Sequence, residues 1–253
     1  MKVTVLGSGT SQGVPVIGCE CEVCRSIDFK DKRLRSSIHI EVDGLSLVVD
    51  SGPDFRQQML RAKVKKLDAL LFTHEHKDHT AGMDDIRSFK FLQKKDIPVY
   101  ARDQVISQLK REFEYVFAES KYPGVPQVQV EELKNEPFQI ENTLITPVEV
   151  MHYKLPVFGF RIKDFSYITD AKTITSEEKD KIRGSKVLII NALQKTSHIS
   201  HLTLEEAIEL AQDLNIEKTY FTHLSHRMGK HRNVESELPE GIEIAFDGLQ
   251  ISL

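Results

Sequence analysis

The sequence predicts an α/β (α+β) protein in which two β-sheets pack together and helices cover their outer faces. Short runs rich in β-branched and aromatic residues recur along the chain, and patterns typical of helices separate them. Asp43-Gly44 lies between two of these runs, Ile38–Val42 and Leu45–Val49, and this dipeptide is a strong hairpin signal. Hairpins mixed with helices in this way favour a layered protein with two sheets.

The predicted strands follow one another along the whole chain, and their apolar side chains supply the core. The last predicted helix begins with a capping box, Thr203 to Glu206, and continues with apolar residues on one face. The predicted strands are Val3–Leu6, Ile38–Val42, Leu45–Val49, Leu67–Phe72, Leu144–Val150, Phe158–Ile162, Val187–Ile190, Thr219–Phe221 and Ile242–Phe246, and the other predicted helices are Asp84–Lys94 and Asp103–Phe117.

Length and composition are those of an ordinary globular protein. The chain has 253 residues, of which 40% are hydrophobic and 28% charged, enough to bury a sizeable core. No internal repeat, low-complexity tract or linker divides it, so we predict a single domain over residues 1–253. Tyr122–Pro126, with its prolines and glycine, is predicted to be a loop or a lid.

The net charge and the first residues of the chain bear on its partners and its location in the cell. The net charge is −4 and no basic tail is present, which argues against an extended nucleic-acid-binding surface. The apolar run Val3–Leu6 is too short for a signal peptide or a membrane span. We therefore expect a cytoplasmic protein with no membrane partner, and the sequence leaves a monomer and a homodimer both open.

The densest group of chemistry-bearing residues is a loop that follows the apolar segment ending at Phe72. It contains His74, His76, Asp78 and His79, three imidazoles and a carboxylate within six residues. The strand would place the first two histidines on one side of a tight loop, and the others would reach the opposite side as a helix begins. Such a loop can supply ligands to two metal ions a few ångströms apart, as in dinuclear hydrolases.

This His-x-His-x-Asp-His loop resembles the signature of the metallo-β-lactamase superfamily. Members of that family carry three more ligands downstream: a histidine, an aspartate that bridges both metals, and a last histidine. The chain has a candidate for each at the end of an apolar run, namely His152, Asp170 and His223. The resemblance implies a four-layer αββα sandwich and a function in hydrolysis.

Residue-by-residue carry-over from the family implies a dinuclear centre. Asp50 resembles the family's acid that hydrogen-bonds beside the ligands. Histidine ligands favour Zn²⁺, while the carboxylates and a water also admit Mn²⁺ or iron. The implied ligands are His74, His76 and His152 for one divalent metal ion and Asp78, His79 and His223 for the other, with Asp170 and a hydroxide shared between them.

A second cluster contains every cysteine of the chain, Cys19, Cys21 and Cys24. Three crowded cysteines cannot pair off internally, but three thiolates form three corners of a tetrahedral zinc site, which needs one more ligand. A group of reduced loop thiols is the alternative. The chain resembles the cyclic phosphodiesterase branch of phosphonate catabolism, which has Cys-x-Cys-x-x-Cys and a histidine three residues after the last catalytic one. That resemblance implies His226 as the fourth ligand of one structural Zn²⁺.

Departure of a leaving group needs a proton donor, and His198 and His201 are the candidates. The segment from His201 resembles the one that supplies a histidine to the site in the cyclic phosphodiesterase and in the tRNA 3′-processing ribonucleases. We therefore predict His201 as the general acid and count the ligand Asp78 with it as catalytic. Packing beside the following helix is the alternative for His201, and His198 is predicted to be a loop residue.

Three further features could bind a substrate, but each also has an ordinary structural explanation. The glycine-rich segment Gly7–Gly13 could present backbone N–H groups to a phosphate or be a plain tight turn. Arg56 and Arg87 could bind substrate or be solvated helix charges.

The predicted substrate is a small anionic phosphodiester, because two divalent cations would make the pocket positive in an otherwise acidic protein. The predicted activity is a phosphodiesterase that hydrolyses small cyclic phosphodiesters of the phosphoribosyl 1,2-cyclic phosphate or 2′,3′-cyclic nucleotide type, with a bridging hydroxide as nucleophile. The alternatives are a tRNA 3′-processing endoribonuclease, a protein of the pyrroloquinoline quinone biosynthesis type and a zinc-stabilised binding module. The short segment between Asp170 and His198 disfavours the ribonuclease, which usually carries a long exosite arm.

Overall fold

Two seven-stranded β-sheets form the centre of the protein, in a computed structural model that describes residues 1–118, 124–126 and 128–253. Helices and short 3₁₀ turns, Phe29–Asp31 and Met83–Ile86, connect the strands. The strands are β1 (Lys2–Gly7), β2 (Ser37–Val42), β3 (Leu45–Val49), β4 (Ala69–Leu71), β5 (Ile97–Ala101), β6 (Val128–Glu132), β7 (Phe138–Ile140), β8 (Thr143–His152), β9 (Leu155–Ile162), β10 (Phe165–Ile168), β11 (Val187–Asn191), β12 (Lys218–Thr222), β13 (Ile242–Ile244) and β14 (Gln250–Ser252). The α-helices are α1 (Phe55–Ala62), α2 (Lys77–Thr80), α3 (Arg87–Gln93), α4 (Asp103–Glu112), α5 (Glu114–Phe117), α6 (Ser176–Ile182), α7 (Leu204–Leu214) and α8 (His231–Glu235).

The two sheets have related topologies. The first has the order β14-β1-β2-β3-β4-β5-β6 and the second β13-β12-β11-β10-β9-β8-β7. In the first sheet the pairs among β1, β2 and β3 are antiparallel, and those from β3 to β6 are parallel. In the second sheet the pairs from β7 to β10 are antiparallel and those from β10 to β13 parallel. The parallel halves therefore present several strand ends at one edge, where ligands characteristically bind.

The core has three apolar layers. Side chains of both sheets, among them Ile40 and Phe160, pack in the cluster between the sheets. A second cluster joins α1, α3 and α4 to the outer face of the first sheet, and a third joins α6 and α7 to that of the second. Burying one face of each helix and both faces of each sheet requires this four-layer arrangement. The predicted αββα sandwich is thus confirmed.

Each predicted strand is present, although Leu67–Phe72 shortens to β4 and Ile242–Phe246 shortens to β13. The capping box is also present, since Thr203 Oγ1 accepts from the backbone N–H of Glu206 and the Glu206 carboxylate accepts from that of Thr203. The predicted helix Asp103–Phe117 breaks at Phe113 into α4 and α5. The predicted loop Tyr122–Pro126 lies partly outside the described residues.

The sequence interpretation omitted several elements, and their composition explains why. β5 contains Pro98, which cannot donate a ladder hydrogen bond and so weakens a strand prediction. β6 is rich in glutamate and glutamine, and β7 and β14 have three residues each. Within the residues that the structure describes, no helix has both the length and the apolar character needed to cross a membrane.

Candidate metal centre

Three residues at the site follow strand ends in an unusual backbone conformation. Asp50 follows β3 with φ of 66°, Asp170 lies two residues beyond β10 with φ of 59°, and His223 follows β12 with φ of 56°. Residues other than glycine rarely adopt this left-handed backbone conformation, because it costs about 1–3 kcal/mol per residue. Such residues are concentrated at functional sites.

Asp50 hydrogen-bonds to two residues of the histidine-rich segment after β4. Its fully buried carboxylate lies 2.7 Å from Nδ1 of His79 and accepts from the backbone N–H and the hydroxyl of Thr73, both at 2.9 Å. A hydrogen bond of this kind keeps the proton on Nδ1, which leaves Nε2 of His79 as a free lone pair. That Nε2 lies 3.1 Å from Asp78 and 3.3 Å from Asp170.

The candidate ligand atoms form three groups within which all atoms lie less than 4.8 Å apart. Asp170 and His79 each belong to two of them, so both residues lie where groups of candidate ligands meet. The ring of His76 lies 4.5 Å from that of His74 and 5.2 Å from that of His152. The groups are His74, His79 and Asp170; Asp78, His79 and His223; and His152, Asp170 and His201.

The outer histidines are held by neighbours from other loops. Nδ1 of His152 donates to the carbonyl of Ser200 at 2.8 Å, which leaves Nε2 available. Nδ1 of His223 lies 3.4 Å from Asp170, and its Nε2 lies 3.2 Å from the hydroxyl of Thr10. The sequence interpretation did not name Thr10 or Ser200, and no local signal distinguishes either from an ordinary loop residue.

His201 lies inside the cluster rather than beside it. Its ring centroid is 4.5 Å from that of His152, and its Nδ1 is 3.9 Å from Asp170. The residue is buried, and this burial lowers its pKa to about 3. The structure therefore places His201 within reach of the metal ligands as well as of a substrate.

Buried carboxylates dominate the electrostatics. Burial raises the pKa of Asp78 and of Asp170, but the neighbouring histidines outweigh it and hold both values below the usual range. Burial lowers the pKa of His79, yet the charges of Asp78, Asp170 and Asp50 raise it well above its usual value. Burial also lowers the pKa of His74. Three carboxylates gathered around His79 leave an excess of negative charge that cations would neutralise.

Unpaired ring nitrogens test whether metal ions fit. Among the described residues, Nε2 of His74, Nε2 of His79 and Nδ1 of His201 are buried without a hydrogen-bond partner. An orphaned buried polar atom costs about 1–3 kcal/mol, so native proteins rarely leave three in one cluster. Metal coordination would satisfy the lone pairs of His74 and His79 and offset the carboxylate charge. The residues present fit divalent cations.

The distances within the cysteine cluster also fit a metal ion. Nδ1 of His226 lies 3.2, 3.4 and 3.5 Å from the sulfurs of Cys19, Cys21 and Cys24. Usual Zn–S and Zn–N bond lengths at a tetrahedral angle give a sulfur–nitrogen separation of about 3.6 Å, so one zinc ion fits between them. The Cys24 backbone N–H lowers the pKa of Cys21 to about 6, whereas burial raises that of Cys24 to about 11.

The weaker candidates lie outside the ligand cluster, apart from Thr10 of the segment Gly7–Gly13, whose hydroxyl contacts His223. Arg87 pairs with Asp84, and Arg56 lines a groove between α1 and α3. In the glycine-rich segment Gly7–Gly13, four backbone N–H groups already donate to the protein: Ser8 to Asp247, Gly9 to Leu34, Thr10 to Leu224 and Gly13 to Thr10. These interactions favour the plain turn over a phosphate cradle. His198, predicted to be only a loop residue, has its ring 5.1 Å from that of His201.

Comparison with known proteins gives a family match over most of the chain. The model of the β-lactamase superfamily domain matches residues 46–224. The crystal structure of a diphosphatase from the PhnP family superimposes with a TM-score of 0.93 at 37% identity, over 100% of this chain and 97% of that one. The crystal structure of Zn²⁺-bound PqqB from Methylobacterium extorquens gives a TM-score of 0.81 at 21% identity, over 100% of both chains.

One curated relative is considerably longer than this chain. The octanoyltransferase of Porphyromonas gingivalis is 40% identical over 253 residues, which cover 99% of this chain but 51% of that protein. The chain thus spans about half the length of this relative.

Proposed function

The chain belongs to the metallo-β-lactamase superfamily, in the same branch as the PhnP-family diphosphatase, and we propose that it is a metal-dependent phosphodiesterase acting on a small anionic substrate. Its membership makes it a hydrolase whose fold binds divalent metal ions. The observation that carries the finer proposal is the buried group of histidines and carboxylates centred on Asp170, combined with 37% identity to a diphosphatase over the whole chain.

The proposed ligand assignment is the one that the family resemblance implies, and the group of Asp78, His79 and His223 matches one of its two sets. We assign His74, His76 and His152 to one metal ion, Asp78, His79 and His223 to the other, Asp170 to both, and Cys19, Cys21, Cys24 and His226 to a structural zinc. When bound, the catalytic ions, Zn²⁺ or Mn²⁺, polarise phosphoryl oxygens and lower the pKa of water. The closed Cys₃His set offers no open position for chemistry and would tie the N-terminal loop to the loop after β12.

The chain's own residues supply orientation and a proton. Asp50 holds the His79 ring through Nδ1, and Ser200 holds the His152 ring through Nδ1. We propose that Nδ1 of His201 carries the proton that the leaving oxygen takes as its bond to phosphorus breaks. Burial leaves this imidazole neutral in the free protein, so the negative charge of a bound phosphodiester is what favours its protonation.

The other functions considered have less support. At 21% identity, the likeness to PqqB extends to the fold alone, so a role in pyrroloquinoline quinone biosynthesis is not proposed for this chain. The match covers only 51% of the octanoyltransferase, so its activity is not transferred to this chain. A tRNA 3′-processing activity remains an outcome of the test below.

The test is hydrolysis by purified protein supplied with Zn²⁺ or Mn²⁺. The substrates are bis(p-nitrophenyl) phosphate, phosphoribosyl 1,2-cyclic phosphate, a 2′,3′-cyclic nucleotide and a precursor tRNA, and Asp170→Asn serves as the inactive control. We expect turnover of the small diesters and not of the precursor tRNA. Cleavage of precursor tRNA alone would replace the proposal with the ribonuclease, and a fully metal-loaded protein that cleaves no diester would refute it.

A further inference from the structure

An apolar groove lies between α1 and α3, on the helices that cover the outer face of the first sheet. Its floor contains the buried side chains of Phe55 and Phe89, whose rings pack edge to face with centroids 6.4 Å apart. Its walls expose Leu60 of α1 and Leu92 of α3, with exposed fractions of 62% and 72%, and Phe91 beside Leu92 is exposed as well. Large apolar side chains grouped around one groove are typical of a surface that another molecule covers.

Two charged residues line the same groove, one on each wall. Arg56 lies in the first turn of α1, and Asp85 lies in the 3₁₀ turn that leads into α3. In the part of the chain that the structure describes, neither side chain forms an ion pair or a hydrogen bond, whereas the adjacent Asp84 is paired with Arg87. The groove therefore carries one uncompensated charge of each sign.

The two helices run in the same direction along the groove. α1 connects β3 to β4, α3 belongs to the connection from β4 to β5, and both of these strand pairs are parallel. Helices that connect neighbouring parallel strands return across the sheet in the same sense. The two charged residues at the helix starts therefore lie at one end of the groove, and Leu60 and Leu92 near the helix ends lie at the other.

We propose that this groove is the interface of a homodimer, so that the occupant is a second copy of this chain. A twofold axis parallel to the groove lays α1 of each copy on α3 of the other. Because the helices run in the same direction, that rotation sets Arg56 opposite Asp85 of the second copy and Leu60 opposite Leu92 of the second copy. Symmetry repeats both contacts, as an isologous interface requires. The second copy thus neutralises both charges and covers both leucines.

Sedimentation velocity on the metal-supplemented full chain tests for this dimer. We expect wild-type protein to have twice the chain mass of 28.9 kDa in a series up to about 100 μM, where a dimer with a micromolar Kd predominates. Leu92→Asp should give a folded monomer, because the change buries an unpaired charge only when two copies associate. Far-UV circular dichroism checks the fold, and Ile27→Asp, at an exposed apolar residue of the N-terminal loop, is the matched control that should remain dimeric.

Charge reversal tests the predicted pairing. Arg56→Asp and Asp85→Arg each set like charges opposite one another twice in a dimer, so we expect either change to raise Kd at least about 100-fold. Mixing the two variants should restore association, because every aspartate of one chain then meets an arginine of the other. Arg232→Asp, at an exposed arginine of α8, is the control and should leave the wild-type dimer intact.

None of these measurements involves a substrate, so the dimer and the proposed activity can fail independently. A wild-type chain that stays monomeric throughout the concentration series would overturn the inference and leave the groove to a different protein. A dimer that persists in Leu92→Asp would place the interface on another face. Two charge variants that remain monomeric when mixed would refute the pairing of Arg56 with Asp85, and with it the proposed axis.

Discussion

Nδ1 of His79 and Oδ2 of Asp50 lie 2.7 Å apart, and both side chains are fully buried. This contact links the end of β3 to helix α2, and it fixes which nitrogen of His79 faces Asp78 and Asp170. The position of one metal-facing nitrogen therefore depends on a residue that is itself not a ligand.

Asp50→Asn should weaken metal binding at the dinuclear centre. An amide can no longer accept as a carboxylate does from both His79 and Thr73, so the ring loses its orientation. We expect affinity for one catalytic metal to fall about 10–100-fold, the usual effect of removing such a partner. Competitive titration with a chromophoric chelator measures it, and Asp43→Asn in the β2–β3 turn is the matched control. Unaltered affinity in Asp50→Asn would contradict this role.

Metal content should reach about three ions per chain, two from the dinuclear ligands and one from the Cys₃His set. Elemental analysis of metal-supplemented protein measures this. Asp170→Asn should lose catalytic metal and turnover while keeping the cysteine-bound zinc. A stoichiometry that never exceeds one, with cysteines that react freely with a thiol reagent, would refute the assignment.

Cys21→Ser should lower stability rather than alter chemistry directly. A structural zinc contributes folding free energy, and its loss should lower the melting temperature by about 5–15 °C. Differential scanning calorimetry with and without a zinc chelator provides the measurement, and Ser26→Ala in the same loop serves as control. Normal stability combined with lost turnover would show that the two sites were interchanged.

The sequence predicts those parts of the site whose residues are close together along the chain. The histidine loop lies within six residues, so its spacing alone predicts metal binding. Cys24 and His226 are separated by about two hundred residues, and family resemblance rather than any local pattern joined them. His201 approaches Asp170 and the Ser200 carbonyl approaches His152 across long sequence separations, and no local sequence pattern encodes either contact.

The fold shows the same division between local and distant information. β2 and β3 were predictable because Asp43-Gly44 specifies their turn locally. β5 was not, because its place between β4 and the edge strand β6 depends on pairing with both of them, whereas Pro98 argues locally against a strand.

The pH dependence of stability should reflect His231. Burial, followed by the charge of Arg33 3.2 Å away, lowers its pKa from 6.5 to about 4. The unfolded chain then binds the proton more readily than the folded one, so stability is full above pH 6.5 and falls as the pH drops toward 4. The loss should be about 3 kcal/mol. Urea denaturation from pH 7 to 4 should show a shallower decline in metal-saturated His231→Gln than in wild type, and identical slopes would contradict this.

The last prediction concerns His201 as general acid. An alkoxide leaving oxygen, such as a ribose hydroxyl released from a cyclic phosphate, needs a proton as its bond breaks, whereas a nitrophenolate does not. His201→Ala should therefore reduce turnover of a 2′,3′-cyclic nucleotide about 10²–10⁴-fold and affect bis(p-nitrophenyl) phosphate much less.

Metal content decides between this role and a second one that the geometry permits. Because Nδ1 of His201 lies 3.9 Å from Asp170 and in one group with His152, the same ring could serve as a ligand. As a proton donor, His201 can be removed without loss of metal, so elemental analysis of His201→Ala should match wild type. Equal losses on both substrates, accompanied by one missing ion, would show that His201 coordinates a metal and that the proton comes from another group.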